Sequence, residues 1–264
     1  MDLFLIMKIV IRRIKHRLYF NLYKRLKRKW TKELPLKDVH VYSYPKSGRT
    51  WLRIMLDGLN DTGLTIAYVH GDAVPIKLKH YKAMTFDLDK FRDRKIIFLL
   101  RDPRDTVVSA YYDAVYRDRI YNGTISEFIR HNKFGIKKVL AFHLLCKESL
   151  SELSDHMILK YEELQSDTIP ELERTLTFLG AKPSKQKLKE VVTLGKFNNM
   201  KKMEVAGEFT GKYAYSLSRV VKNNPNSGKV RKGKVGGYLE ELSAEDVYYC
   251  NDVMRTEKNH FYPI

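Results

Sequence analysis

The segment from Asp38 to Leu59 constrains the fold more than any other part of the chain. Asp38–Tyr44 reads DVHVYSY, an alternating run rich in β-formers. Trp51, Leu52, Met55, Leu56 and Leu59 then recur on one helical face. Alternation of period two predicts a strand, and the later spacing predicts a helix. Between them lies only the turn PKSGRT, Pro45–Thr50. The strand must therefore pass almost directly into the helix through a tight, basic, glycine-containing turn. A helix N-terminus presents unpaired backbone N–H groups, and Gly48 lets a ligand approach that backbone closely. Lys46 adds a point charge at the same place. The junction is suited to holding an anion.

The rest of the chain repeats this alternation. Leu64–His70 (LTIAYVH) and His156–Tyr161 read as strands, and Lys95–Leu100 (KIIFLL) is an apolar run suited to a strand buried on both faces. Asp102 caps a helix that begins at Pro103 and carries Val107, Val108, Ala110, Tyr111 and Val115. Helices are also expected at Thr124–Arg130, Gly135–Glu148, Ile169–Leu179, Lys185–Thr193 and Ser243–Arg255. Residues 205–237, rich in Gly, Asn, Ser and Lys, read as a mobile loop. Strands alternating with helices imply an α/β fold around a parallel sheet. At 264 residues, 44% of them hydrophobic, the chain can build one large domain with an appendage. The reading is a domain over 38–264 and a basic arm over 1–37.

The arm carries much of the charge. Residues 1–32 hold eleven Lys and Arg against one Asp, and Leu3, Ile6, Val10, Ile14, Leu18, Leu22 and Leu26 recur at helical spacing. No run approaches the ~20 apolar residues of a membrane span. A basic amphipathic helix suits attachment to an anionic membrane surface, and equally a helix laid across the domain's own core. The whole chain has a formal net charge of +18, which favours nucleotides, phosphorylated or sulfated ligands, nucleic acid or acidic membranes as partners. Cys146 and Cys250 are far apart in the sequence and have no neighbours at metal-ligand spacing, so neither a disulfide framework nor a zinc site is expected. The expected location is the cytoplasm, with the arm as a candidate peripheral attachment.

A nucleotide kinase or GTPase would show Gly-x-x-x-x-Gly-Lys-Ser/Thr. None of the Gly-Lys pairs is followed by Ser or Thr: Gly195-Lys196-Phe197, Gly211-Lys212-Tyr213, Gly228-Lys229-Val230 and Gly233-Lys234-Val235 all fail. The apolar run Lys95–Leu100 ends in Arg101 rather than in an Asp able to hold Mg²⁺. A multiply charged anion held by protein cations, with no metal, is the better reading. Two further clusters agree with it. LLRDPRDTVVSAYY sets Arg101 just after the buried strand and Ser109 two turns into the helix; KVRKGKVGGY sets Arg231, Lys232 and Gly233 in the late loop.

YPKSGRTW resembles the 5′-phosphosulfate loop of sulfotransferases that use 3′-phosphoadenosine 5′-phosphosulfate (PAPS), commonly Tyr-Pro-Lys-Ser-Gly-Thr-Thr-Trp. RDPRDTVVSAYY resembles the 3′-phosphate site of that family, and VRKGKVGGY its late Arg-Lys-Gly motif. YEEL (Tyr161–Leu164) and KFNNM (Lys196–Met200) resemble segments near the adenosine. The likeness runs from about Asp38 to the C-terminus. It implies a P-loop-like three-layer sandwich, with helices flanking a mostly parallel central sheet. It also implies PAPS as donor, 3′,5′-diphosphoadenosine (PAP) as product, and a small-molecule, glycan or lipid acceptor.

By this resemblance Lys46 contacts the oxygen bridging phosphate and sulfate, and Ser47 restrains that lysine until the acceptor arrives. Gly48, Arg49 and Thr50 bind the 5′-phosphate. Arg49 stands where Thr is common, and its side chain either adds a cation or points away. Trp51, Tyr161, Phe197 and Met200 line the adenine pocket, while Lys196 replaces a Ser. Arg101, Ser109, Arg231, Lys232 and Gly233 bind the 3′-phosphate. A histidine should take the acceptor's proton. His70, at the end of the second strand, is favoured over His80, with Asp72 a candidate to orient it. The rival readings are a Mg²⁺-dependent kinase-like phosphotransferase and a basic membrane- or nucleic-acid-binding protein with an inactive site. No aromatic RNA-binding motif appears, so nucleic acid is not expected as a partner.

Overall fold

The computed structural model describes residues 39–59, 65–73, 79–209, 213, 217, 224–257, 261–262 and 264. They belong to the compact unit Asp38–Ile264. The arm over 1–37, and with it the membrane-surface reading, lies outside the described residues.

Four strands form one sheet: β1 (Val39–Ser43), β2 (Ile66–Val69), β3 (Lys95–Leu100) and β4 (His156–Lys160). Their order is β2-β1-β3-β4, and every neighbouring pair is parallel. The four predicted strands are all present, each within two residues of its expected ends. Helices α1 (Arg49–Gly58), α2 (Leu88–Phe91), α3 (Pro103–Tyr112), α4 (Ile125–Arg130), α5 (Ile136–Ser149), α6 (Tyr161–Ser166), α7 (Thr168–Leu179), α8 (Lys185–Gly195), α9 (Phe197–Ala206) and α10 (Ala244–Thr256) connect and cover the strands.

The β pleat explains the three layers. Successive side chains of a strand point to opposite faces. In β3, Ile96, Phe98 and Leu100 join one core with Val107 of α3, Phe128 of α4, Phe142 of α5 and Met254 of α10. Ile97 and Leu99 join the opposite core with Leu52 and Met55 of α1, Leu176 of α7 and Leu188 of α8. All five of these β3 residues are fully buried, as a doubly covered parallel strand requires.

Local chemistry sets several boundaries. The Asp102 carboxylate accepts from the Arg104 N–H at 2.8 Å with Pro103 at the first helical position, the predicted start of α3. The far end differs from expectation: the regular helix stops at Tyr112. Asp113–Arg117 form a π-helical turn in which the Asp118 N–H reaches back five residues to the Asp113 carbonyl at 2.8 Å. Such widened turns occur often at functional sites. Helix α9 was not expected, because only Met200 and Glu204 are buried along it and its apolar stripe is too thin to read. Of the predicted 205–237 loop, Gly236 is tied down: its N–H donates to Asp105 at 2.8 Å, and the Tyr238 N–H does so at 2.9 Å.

The topology also sets where a site can form. The chain leaves β1 for β2 on one side and then crosses to β3 on the other. In open α/β sheets ligands bind beyond the carboxyl ends of the strands at such a reversal.

Candidate active site

Each of the four strands delivers residues to that edge. Pro45–Trp51 follow β1, His70 follows β2, Arg101 follows β3 and Tyr161 follows β4. Together with α9 and residues 229–234 they line a cavity of about 430 Å³. Of the residues singled out in the sequence, Lys46, Gly48, Arg49, Thr50, Trp51, His70, Arg101, Ser109, Tyr161, Phe197, Met200, Arg231, Lys232 and Gly233 all line it.

Tyr161 organises the loops. A Cβ on Gly48, whose φ is +89°, would lie 2.5 Å from the Tyr161 ring, so only glycine allows both the turn and this packing. The Tyr161 hydroxyl donates to the Gly233 carbonyl at 3.3 Å, and Gly233 (φ +61°) packs equally closely on Phe197. Arg101 joins the same two loops. Its Nη1 donates to the Lys46 carbonyl at 3.2 Å and its Nη2 to the Lys234 carbonyl at 3.1 Å, with the guanidinium 4.4 Å over the Tyr161 ring. Trp51 donates from Nε1 to the Gly195 carbonyl at 2.8 Å and meets Tyr161 edge-on.

Lys46 has φ +76°, a left-handed conformation that is costly for a non-glycine residue. Its ammonium is 2.7 Å from Asp113 in the π-helical turn and nearly buried. Burial pushes Lys46 down to about 7, and Asp113 keeps it from falling further. Arg117 and Lys229 lie 3.2 and 3.9 Å from the same carboxylate. Although burial acts to raise Asp113, these cations hold its carboxyl well below the usual range. The expected partner Ser47 does not meet Lys46: its hydroxyl is buried, lies outside the cavity lining and has no hydrogen-bond partner. Side-chain reach decides this, since Asp113 comes from across the cleft.

His70 Nδ1 lies 2.7 Å from the Ser43 carbonyl. A carbonyl can only accept, so Nδ1 carries the proton and Nε2 keeps a free lone pair. Burial, followed by the charge of Arg49, depresses the imidazolium pKa well below its ordinary value, leaving the ring neutral at pH 7. Asp72 is not its orienting group, because it accepts from Lys79 at 2.6 Å and from Thr85. His80 caps the short turn Tyr81–Ala83 through the Lys82 N–H and is not among the lining residues.

Arg231 pairs with Glu241 at 2.7 Å and covers the Tyr112 ring, and Lys232 lies 2.5 Å from Glu241. Asp113, Asp105, Lys229 and Gln165 escaped the sequence reading. Asp113 lies in a stretch read as plain helix, and Asp105 and Gln165 act by fixing loops, as in the 2.6 Å bond from Gln165 to the Gly233 carbonyl. Lys229 alone stood in a quoted motif.

A family model described as "Sulfotransferase domain" matches residues 79–261. Sulfotransferase 2A1 of Rattus norvegicus is 25% identical over 253 residues, covering 86% of each chain. Cytosolic sulfotransferase 15 of Arabidopsis thaliana is 28% identical over 167 residues, 58% of this chain and 43% of that protein. The chain thus aligns with less than half of the plant relative. The fold is also that of a mouse sulfotransferase, SULT7A1, solved in complex with PAP: TM-score 0.64, 19% identity, 85% of each chain covered. Matched over more than half its length by the domain model, and carrying that fold, the chain belongs to the sulfotransferase family.

Proposed function

We propose that the protein transfers a sulfuryl group from PAPS to a hydroxyl or amine acceptor and releases PAP. One observation carries this reading: cations from three distant segments, Lys46, Arg101 and the pair Arg231–Lys232, converge on one cavity beside a neutral histidine. The donor set suits a nucleotide with two separate phosphate groups. Arg101 Nε is buried without a hydrogen-bond partner, so the guanidinium has capacity left for an anion. Main-chain groups of Gly48, Arg49 and Thr50 open the N-terminus of α1 to the 5′-phosphate. Arg101, Ser109, Arg231, Lys232 and Gly233 take the 3′-phosphate, with Glu240 and Glu241 holding the two late cations meanwhile. Trp51, Tyr161, Phe197 and Met200 receive the adenine.

PAPS supplies an activated sulfuryl group and a phosphate leaving group. His70 Nε2 takes the acceptor's proton as the new bond to sulfur forms. Lys46 neutralises the charge that collects on the leaving oxygen. Incubating the full chain with labelled PAPS and a panel of sugars, phenols and amines, in the presence of a chelator, tests the reading. Metal-dependent turnover of ATP in place of sulfuryl transfer would favour the phosphotransferase reading.

Arg101→Ala should weaken PAP much more than adenosine 5′-monophosphate, which lacks the 3′-phosphate. A charge-assisted bond contributes about 1.5–3 kcal/mol, or ~10–150-fold in affinity. Equal losses for both nucleotides in calorimetry would contradict the 3′-phosphate role.

Asp113→Asn should move the pH dependence of PAP binding. Lys46 attracts phosphate only while protonated, so its contribution is present below its pKa and lost as pH rises through about 7. Removing the carboxylate that raises this pKa brings the loss to lower pH. A binding curve with an unmoved alkaline limb would show that Asp113 does not act through Lys46.

A further inference from the structure

The His70 end of the cavity holds a cation that the donor site does not need. Arg49 lines the cavity, yet its guanidinium makes no hydrogen bond or ion pair with any described residue. Burial, then the neighbouring charge of Arg53, disfavours that guanidinium, and Arg53 already has Asp57 at 3.4 Å. The charge of Arg49 also reaches His70, as does that of Lys229. Tyr68, on the adjoining strand β2, has a buried hydroxyl without a hydrogen-bond partner. The nearby acid, Asp113, is already engaged by Lys46 and Arg117.

A desolvated guanidinium with no counter-charge is unfavourable, and here it stands beside the group that must accept a proton. Both costs are relieved if an anion is present in the working complex. The base marks where the acceptor hydroxyl has to lie, so an anion near Arg49 would be part of the acceptor. We propose that Arg49 is a specificity-determining residue that selects acceptors bearing a carboxylate, sulfate or phosphate close to the hydroxyl to be sulfated. This inference rests on the sulfotransferase reading and names the acceptor class of that same site. The planar fork of arginine suits such groups, and the bound anion would also steady the imidazolium that forms on His70.

Matched ligands test it. The full chain, saturated with PAP, is titrated in a calorimeter with 4-hydroxybenzoate against 4-hydroxybenzamide, and with glucuronate against glucose. Wild type should prefer the carboxylate by at least about tenfold in one pair or both. Arg49→Met should bring that ratio to within about twofold of unity, Arg49→Lys should keep part of it, and PAP affinity should change less than about threefold in either. The inference is overturned if the wild type shows no preference in either pair, including by binding none of the four. It is also overturned if the preference survives in Arg49→Met. A large loss of PAP affinity with an unchanged ratio would assign Arg49 to the donor instead. If PAP itself fails to bind, the sulfotransferase reading falls first and this inference with it; PAP binding with indifference to the carboxylate removes only the inference.

Discussion

Lys46→Ala should lower sulfuryl transfer by about 10²–10³-fold while the protein stays folded. That is the usual cost of losing one preorganised contact to charge that develops in the transition state. The magnitude follows from the site. The Lys46 side chain is only 7% exposed, so its charge acts in a poorly screened environment. Its left-handed backbone is strain retained at a functional position, held in part by the bond from Arg101 to its carbonyl. Folding should survive because Asp113 keeps Arg117 and Lys229 as counter-charges. The checks are turnover of labelled PAPS and a thermal melt. Near-normal turnover would remove Lys46 from the mechanism.

His70→Ala should lower turnover by about 10²–10⁴-fold, the range for a lost general base, with PAP affinity little changed. The Ser43 carbonyl holds the ring in the tautomer that leaves Nε2 basic. The pKa of His70 lies well below its ordinary value, so the base is active above that depressed pKa and the acid limb of kcat/KM should fall below pH 6.5. His80→Ala should do far less, since that ring caps the turn Tyr81–Ala83 and does not line the cavity. An inactive His80→Ala beside an active His70→Ala would reverse the assignment.

Much of this was legible because the informative residues lie at strand ends. An apolar run such as KIIFLL can only be a doubly buried strand, and whatever follows it must emerge at the sheet's edge. That is why Arg101 and Tyr161, 60 positions apart in sequence, could be expected near the same ligand, and they do meet at 4.4 Å. His70 could be preferred to His80 on the same ground. What was not legible depends on rotation and reach. Tyr112 to Arg117 reads as ordinary helix, and nothing in the letters shows that a five-residue turn aims Asp113 at Lys46. Nor could sequence spacing show that His70 leans on a main-chain carbonyl rather than on Asp72. Helix α9 lacks an apolar stripe because one side of it lines the cavity instead of packing into the core, so the missing pattern and the function share a cause.

The central claim is that this cavity is built for an adenosine carrying both a 3′- and a 5′-phosphate group. Isothermal titration of the full chain with PAP, adenosine 5′-monophosphate and ATP, each with chelator and with Mg²⁺, tests it most directly. The account predicts that PAP binds without metal and about 10–150-fold more tightly than the monophosphate, the margin expected of one charge-assisted contact to the 3′-phosphate. Equal affinity for PAP and the monophosphate, or binding of ATP that requires Mg²⁺ and exceeds that of PAP, would contradict it.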